Sequence, residues 1–414
     1  MHTILSTGAD ALIFILLAWT LWRLLGRSIP IAVVPIIIGL VLAATGWLPQ
    51  GWGVPSVVGD KIGWVGVLLL AFTAGLETRQ FAHADSPTGA PAESRRSVFR
   101  FVASAALALL LPFLVGALAA YHYFSVLPNW ATPNGGRGLG SIAIGLCIAV
   151  SALPVLIGIV RELGPLHRSL TQVAVRIAVV DDAVLWIGLA LLLLVADGDA
   201  ALSGGSLLQL LALAMPVAMM ALGAISRRRN FVPPGWAIWL TLPLYLIAGS
   251  WASSQLGLHA LLGAYFAGVM IPPSWARRLP VERIGQFALL GLAPLFFGHS
   301  GLKIDGDALG WASLQASLTL LAVSVMAKLV AVLICPPAST LSRREALAIG
   351  ALLQCKGLME IVAATILRDK GLLSEHAFAA LVTLAVLSTL LTGPFFRFIL
   401  GRRAEQPRSG RLLI

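Results

Sequence analysis

The stretch SLTQVAVRIAVVDDAVLWIGLALLLLV, residues 169–195, is apolar and long enough to cross a lipid bilayer, yet two adjacent aspartates, Asp181 and Asp182, lie near its middle. An acidic side chain at the centre of a membrane helix costs about 2.5 to 3.5 kcal/mol even on a lenient insertion scale. Such residues usually face a polar pathway or a partner charge. The stretch therefore predicts a membrane helix and marks the place where function should be sought first.

The composition around this stretch is that of an integral membrane protein. Of 414 residues, 58% are hydrophobic and 11% are charged, and the mean hydropathy is +0.91. Apolar segments recur along almost the whole chain and leave no room for a separate soluble domain. We expect an all-α polytopic membrane protein with one transmembrane domain, residues 1–400, and a short basic cytoplasmic tail, residues 401–414. The cysteines match no metal spacing and are interpreted as packing residues.

The apolar segments predict about thirteen membrane spans. They cover residues 9–26, 30–48, 61–77, 98–120, 139–160, 169–195, 206–226, 235–254, 258–272, 283–300, 311–335, 345–367 and 374–399. The first span is not interpreted as a cleavable signal, because no basic residue precedes it and no small-residue cleavage site stands out.

The basic residues predict the orientation of these spans. With thirteen spans, every odd-numbered loop and the C-terminus lie on one side, and that side holds most of the 29 Lys and Arg residues. The opposite side holds Lys61, Arg137, Lys303, Arg368 and Lys370. Because basic loops face the cytoplasm, we expect a multi-pass protein of the cell (inner) membrane with its N-terminus outside and its C-terminus inside. Loop ends near anionic lipid account for the net charge of +11, and no nucleic-acid partner is expected.

Two of the predicted spans contain residues that interrupt a helix. Residues 151–154 read Ser-Ala-Leu-Pro and residues 354–357 read Gln-Cys-Lys-Gly. Proline removes a backbone donor, and glycine beside polar residues weakens a helix, so both sites can leave carbonyls and amides unpaired at mid-depth. An odd number of spans separates the two sites, so the two helices cross the membrane in opposite directions. Inverted-topology repeats with two discontinuous helices have this arrangement.

Further charged residues lie inside the predicted spans. With a rise of about 1.5 Å per residue, Asp181 lies roughly 18 Å and Lys328 roughly 12 Å from the cytoplasmic ends of their spans, so their side chains can meet. Lys356 and Glu360 are neighbours on one face of the second interrupted span and are expected to neutralise each other. Arg176 lies nearer the cytoplasm, as an inner gate or as a side chain that reaches towards the interface.

Short stretches spread through the chain form one pattern. They are LLLAFTAGLETR (68–79), AVSALPVLIGIVRELG (149–164), VVDDAVLW (179–186), LGAYFAGVMIP (262–272), LAPLFFGHSGLKID (292–305), AKLVAVLI (327–334) and CKGLMEIV (355–362). The pattern resembles the monovalent cation:proton antiporters, in the branch that includes bacterial sodium/proton antiporters, glutathione-gated potassium efflux systems and plant endomembrane cation/proton exchangers. The stretches together are far more specific than any one of them.

The resemblance implies a division of the transmembrane domain into two parts. One is a dimerising panel, mainly residues 1–80 and 235–300, and the other is a mobile core, mainly residues 98–195 and 311–400. The core is expected to contain two crossed discontinuous helices, an aspartate site and a lysine on a facing helix. A homodimer in the lipid bilayer is implied, and no cofactor.

Residue by residue, the resemblance assigns roles to five charged side chains. Asp182 is similar to the acid that binds the ion and the proton, and Asp181 to the adjacent position, which is Asn or Asp. Lys328 is similar to the facing lysine. Lys356 and Glu360 match the basic and acidic positions of the second broken helix.

These residues predict a mechanism based on competition. A carboxylate can hold either a proton or a hard monovalent cation, and exchange follows if the two cannot bind together. The candidate cation ligands are Asp181, Asp182, Ser151 and backbone carbonyls, since the chain reads Ser-Ala-Leu-Pro where relatives often carry threonine or further serine. The expected function is secondary active transport, by alternating access, of Na⁺ or K⁺ against protons, and not an enzymatic activity.

Three other classes of protein also use acids within a membrane. A passive cation channel can combine acids with broken helices, and proton-coupled counterflow would separate it from an antiporter. An organic-anion transporter on the same repeat plan fits two adjacent acids poorly. An intramembrane aspartyl protease needs acids on two facing helices, whereas Asp181 and Asp182 point about 100° apart on one helix.

Overall fold

The computed structural model describes residues 2–24, 31–48, 52–84, 95–163, 167–197, 207–229, 233–256, 258–304, 308 and 310–401. The regular structure within these residues is entirely helical. The predicted basic tail lies outside the described residues except for Gly401.

The helices overlap each of the predicted spans, and α12 lies between two of them. In the first half they are α1 (His2–Ala11), α2 (Ala18–Leu24), α3 (Val34–Thr45), α4 (Val57–Ala84), α5 (Arg95–His122), α6 (Gly136–Ala149), α7 (Leu153–Leu163), α8 (Arg168–Asp197) and α9 (Leu207–Arg228). In the second half they are α10 (Gly235–Gln255), α11 (Ala260–Met270), α12 (Pro273–Ala276), α13 (Val281–Phe287), α14 (Ala293–Leu302), α15 (Trp311–Ile334), α16 (Arg343–Leu352), α17 (Gly357–Asp369) and α18 (Glu375–Leu400). The π-helical turns Leu12–Leu17 and Ala288–Leu292 join α1 to α2 and α13 to α14.

Among the described residues, eight helical segments are long and apolar enough to cross a membrane, and α3, α6, α11 and residues 210–226 of α9 are shorter apolar helices. This finding supports the prediction of an all-helical, multi-pass protein. The number of crossings and the inverted repeats stay predictions.

The first predicted interruption is present between α6 and α7. α6 ends at Ala149, Val150 has extended backbone angles, and α7 begins at Leu153. Pro154 fits the first turn of α7 because the amides of a first turn have no partner within the helix. The sequence therefore ends one helix and starts another within a predicted span, and residues 150–152 lie outside both.

The second interruption separates α16 from α17. α16 begins with a capping box, in which Ser342 and Glu345 each accept a hydrogen bond from the backbone amide of the other. It ends at Leu352, and α17 begins at Gly357, whose φ of +56° is in the left-handed region that favours glycine. A Cβ at this position would also lie 2.7 Å from Cγ2 of Val155. Gly357 thus allows the two interrupted helices to approach each other.

The two interruptions meet at one point. The amide of Ala152 donates a hydrogen bond of 2.7 Å to the carbonyl of Cys355. α8 packs against α6, α7 and α16, and α15 packs against α6 and α16. We call this meeting of the two interruptions, residues 150–152 and 353–356, the helix crossing. The helix with the paired aspartates, α8, and the helix with Lys328, α15, both contact it.

Other helices pair through close backbone contact. α4 packs against α11, where a Cβ on Gly75 would lie 2.1 Å from the carbonyl oxygen of Tyr265 and a Cβ on Gly268 would lie 2.1 Å from that of Phe72. Small residues at a membrane helix interface permit such close packing. α8 meets α11 differently, because the rings of Trp186 and Tyr265 stack with centroids 5.5 Å apart and an interplanar angle of 22°.

Candidate ion- and proton-binding site

Asp181 lies in a network of polar groups at the helix crossing. Its side chain and that of Lys328 are both completely buried, and Lys328 Nζ lies 3.5 Å from Asp181 Oδ2. Ser151, in the first interruption, has its hydroxyl oxygen 2.6 Å from the same carboxylate oxygen. The structure thus brings together two charges that the sequence places at compatible depths, and adds Ser151 between them.

Lys328 has acceptors for its ammonium group on three sides. It donates hydrogen bonds to Ser151 Oγ and, at 2.8 Å, to the carbonyl of Leu353, and it also faces Asp181. An ammonium group has three donors, so these contacts can satisfy it. The Leu353 carbonyl is available because α16 ends just before it. The break in the second helix therefore helps to stabilise the buried lysine.

Ser151 can direct its single hydroxyl hydrogen to either of two acceptors. Its oxygen lies 2.6 Å from Asp181 and 2.7 Å from the carbonyl of Leu353. A hydroxyl donates one hydrogen bond at a time, and a charged acceptor forms the stronger bond. The direction of this hydrogen bond can therefore follow the charge of Asp181.

Asp182 has a very different environment. It is 0% exposed, and neither of its carboxylate oxygens has a hydrogen-bond partner among the described residues. The amide of Leu153 at the start of α7 attracts the carboxylate without forming such a bond, while Asp181 and Glu77 act on it as like charges. A buried anion without a donor is strongly unfavourable. The side chain of Asp182 is therefore suited to bind a proton or a cation.

Glu77 is a residue that the reasoning from sequence missed. It is half-buried on α4 and interacts electrostatically with Asp182. The available signal was its position as the acid within the matching stretch 68–79.

Lys356 and Glu360 do not form the direct pair that their spacing predicts. The ammonium of Lys356 donates to the carbonyls of Ile148 and Val150, at the C-terminal end of α6. Both carboxylate oxygens of Glu360 are buried and lack a hydrogen-bond partner among the described residues. The two charges interact only through space. A cation is favourable at a helix C-terminus, where unpaired carbonyls concentrate partial negative charge. For Lys356 this attraction outweighs the attraction to Glu360, four residues further along the chain.

Two polar residues form hydrogen bonds that connect α15 to both interruptions. Ser324 donates to the carbonyl of Ile148 at 2.9 Å, and the amide of Gln354 donates to the Ser324 carbonyl at 3.2 Å. Ser324 lies one turn before Lys328 on the same face of α15. That spacing was the signal for its proximity to the site.

Arg176 lies on α8, the helix of the two aspartates, and is exposed. Its place as an inner gate or as a side chain that reaches towards the interface stays a prediction. No group of three or more His, Cys, Asp or Glu side chains within the described part of the chain could hold a metal ion. The candidate ligands for a transient monovalent cation remain Asp181, Asp182, Ser151 and the carbonyls of the interruptions.

Comparison with known families identifies the chain. The family described as sodium/hydrogen exchanger, transmembrane, matches residues 11–402. The chain belongs to this family. This result confirms the resemblance seen in the sequence, and sodium/hydrogen exchangers are transporters rather than enzymes.

Several curated relatives are similar to this exchanger chain. Cation/H(+) antiporter 20 of Arabidopsis thaliana is 29% identical over 361 residues, which are 83% of this chain and 41% of that protein. The Na(+)/H(+) antiporter of Enterococcus hirae is 24% identical over 393 residues, which are 92% of this chain and 95% of that protein. The chain therefore spans less than half the length of its plant relatives and nearly the whole of the bacterial one.

A solved structure shares the exchanger fold. The sodium proton antiporter MjNhaP1 from Methanocaldococcus jannaschii, at pH 8, has a TM-score of 0.64 to this chain at 16% identity, with 95% of this chain and 96% of that chain covered. This similarity supports the polytopic helical fold over almost the whole exchanger chain.

Proposed function

We propose that the protein exchanges a monovalent cation, Na⁺ or K⁺, for protons by alternating access at Asp182. The observation that carries this proposal is the buried Asp182 carboxylate without a hydrogen-bond donor. The names of its relatives, Na(+)/H(+) antiporter and K(+)/H(+) antiporter, support the choice of substrates.

Competition at Asp182 would couple the two substrates. A proton neutralises the carboxylate in its dry surroundings, and a cation does the same with help from neighbouring oxygens. The empty, ionised site is the unfavourable state, because two further acids act on it. If the site changes its access from one side of the membrane to the other only when it is occupied, the protein exchanges one substrate for the other.

Asp181 and Lys328 suggest a second exchangeable proton. A cation that binds between the two aspartates would compete with the Lys328 ammonium for Asp181. Lys328 could then release a proton in addition to the one from Asp182, so that two protons would leave for each cation and the exchange would move net charge. The competing hypothesis is a structural ion pair with one proton exchanged for each cation.

The movement that we propose follows the predicted division of the domain. Residues 98–195 and 311–400 would form the core that carries the site, and residues 1–80 and 235–300 would form the panel. We propose about thirteen spans in inverted repeats, with the N-terminus outside and the C-terminus inside. The Trp186–Tyr265 stack would then lie between core and panel.

The test measures proton movement in everted vesicles with a pH-sensitive dye, with sodium, potassium and lithium added in turn. We expect at least one cation to drive proton flux in the wild type and Asp182→Asn to abolish it without loss of folded protein. Asp369→Asn is the matched control, because it makes the same chemical change at a side chain that is 57% exposed. Normal exchange by a folded Asp182→Asn protein would refute the site. Cation flux without proton counterflow would instead indicate a channel.

A further inference from the structure

A second ionic cluster, with two buried and two half-exposed side chains, lies where α1, α4 and α14 meet. Asp10 on α1 and His299 on α14 are 0% and 1% exposed. His299 Nε2 lies 3.1 Å from Asp10 Oδ1, and His299 Nδ1 lies 3.2 Å from Asp60 Oδ1 on α4. Lys303 Nζ lies 3.4 Å from the same oxygen of Asp60. One imidazole ring thus has a carboxylate from a different helix at each of its nitrogens.

The two carboxylates favour a protonated imidazole. His299 Nδ1 is within hydrogen-bond distance of Asp60, whereas His299 Nε2 and Asp10 Oδ1 lie at ion-pair distance without the alignment of a hydrogen bond. A neutral imidazole has no charge to offset the buried Asp10 carboxylate. Only the imidazolium form interacts favourably with Asp10 and Asp60 together. With that proton, two cations, His299 and Lys303, balance two carboxylates. Without it, the cluster has excess negative charge, and Asp10 is buried with no cation against it.

The segment that contains Asp10 and Phe14 packs closely against α4 and α14. Asp10 accepts hydrogen bonds from the amide of Ser56, at 3.0 Å, and from its hydroxyl. A Cβ on Gly59 would lie 2.2 Å from Asp10 Oδ2, and a Cβ on Gly298 would lie 2.0 Å from the ring of Phe14 on the following turn. Glycine at these two positions therefore allows α1 to approach α4 and α14.

The surroundings contain few other charges. The α3 segment, which also packs against α14, contains no titratable side chain. Lys61 follows Asp60 on α4 and is exposed. Asp60 and Lys303 are about half exposed, at 48% and 47%, so one end of the cluster is accessible to water. By the predicted orientation, this end faces the outside of the cell.

We propose that Asp10, His299, Asp60 and Lys303 form a second proton-binding site, distinct from the transport aspartates, whose proton holds α1 against α4 and α14. The stabilising contacts are present when the imidazole is protonated and are lost as the pH rises. The packing of α1 against α4 and α14 is therefore more stable at acidic external pH than at alkaline external pH.

The test is hydrogen–deuterium exchange of the full purified chain in lipid nanodiscs between pH 6 and pH 9. Amide protection of residues 9–20 is corrected at each pH for the intrinsic exchange rate. We expect protection in the wild type to fall about tenfold as the pH rises, because the attraction between the imidazolium and the Asp10 carboxylate is lost. His299→Gln is expected to show low protection at every pH.

Two further variants complete this test. Asp60→Asn changes a half-exposed side chain, so it is expected to fold, and its protection profile should differ from that of the wild type because one of the two carboxylates that face the imidazole is gone. His259→Gln is the matched control, because that ring accepts a hydrogen bond from the Leu261 amide and packs on Trp64. It should leave the profile unchanged. Protection that is independent of pH in the wild type, or a wild-type profile in His299→Gln or in Asp60→Asn, overturns the proposal.

Discussion

At the level of single residues, the two adjacent aspartates have opposite environments. Asp181 faces Lys328 and Ser151, whereas Asp182 has no hydrogen-bond donor within the described residues. Adjacent positions on a helix point about 100° apart, so one can face a lysine while the other faces away from it. The proposed roles follow this difference: Asp182 would bind the proton or the cation, and Asp181 would share the cation with Lys328 as its competitor.

The charge moved in each cycle distinguishes the two hypotheses for Asp181. We expect an imposed membrane potential to drive proton uptake coupled to cation flux in proteoliposomes, because two protons would exchange for one cation. Asp181→Asn should reduce this voltage dependence, since Lys328 would then have no carboxylate for the cation to displace. Exchange by the wild type that ignores the potential would rule out the two-proton hypothesis but not antiport itself.

The contact between Asp181 and Lys328 was predicted from the sequence. The rise per residue and the direction of each span give the depth of each side chain in the membrane, and the two depths are compatible. The partners of Lys356 could not be predicted in this way, because these are carbonyls of Ile148 and Val150 in another segment. Such carbonyls have no sequence signature of their own. They become available only where two distant interruptions meet.

At the level of helices, the crossing depends on two short breaks that the sequence marks in different ways. The first contains the Ser-Ala-Leu-Pro stretch, and the second ends at Gly357 with its positive φ. Proline and glycine showed where the helices would break. They did not show that the Ala152 amide would bond to the Cys355 carbonyl, since that contact depends on tertiary packing.

Gly357→Ala tests the second break. A side chain at this position combines a strained φ with a contact of 2.7 Å to Val155, so we expect a loss of about 1 to 2 kcal/mol in stability. The measurement is the thermal unfolding midpoint of the purified protein. Gly158→Ala is the control, because Gly158 lies within α7 with open space around its Cβ position. An equal or smaller loss in Gly357→Ala than in this control would contradict the assigned role.

At the level of the whole molecule, the resemblance predicts a homodimer whose contact involves the early spans and spans eight to ten. One face of α10 exposes large apolar side chains, among them Trp236, Leu240, Leu244 and Ile247. We expect cysteines placed along this face to cross-link two copies in native lipid, in a Cys335→Ser background. A cysteine at the exposed Leu318 of α15 should not cross-link. A monomer in native lipid that transports at full rate would contradict the dimer.

The pairing of helices across the molecule was largely beyond prediction from one sequence. Amphipathic periodicity is weak where lipid and protein interior are both apolar, so it does not select a partner for α4 or α10. The selection comes from backbone approach, as between Gly249 and Gly263, where a Cβ on either residue would lie within 2.5 Å of the other's carbonyl oxygen. The sequence shows these glycines but not which of them face each other.

The stack of Trp186 on Tyr265 makes the protein its own optical probe. Trp186 is fully buried, four residues after Asp182, and its indole N–H has no partner among the described residues, so its fluorescence should be emitted at short wavelength. If the core moves past the panel, the ring leaves Tyr265 and its emission shifts to longer wavelength. The difference between the spectra of the wild type and Trp186→Phe isolates this signal from the other tryptophans. Addition of the transported cation should change that difference spectrum, and an unchanged one would indicate that the two rings stay together throughout the cycle.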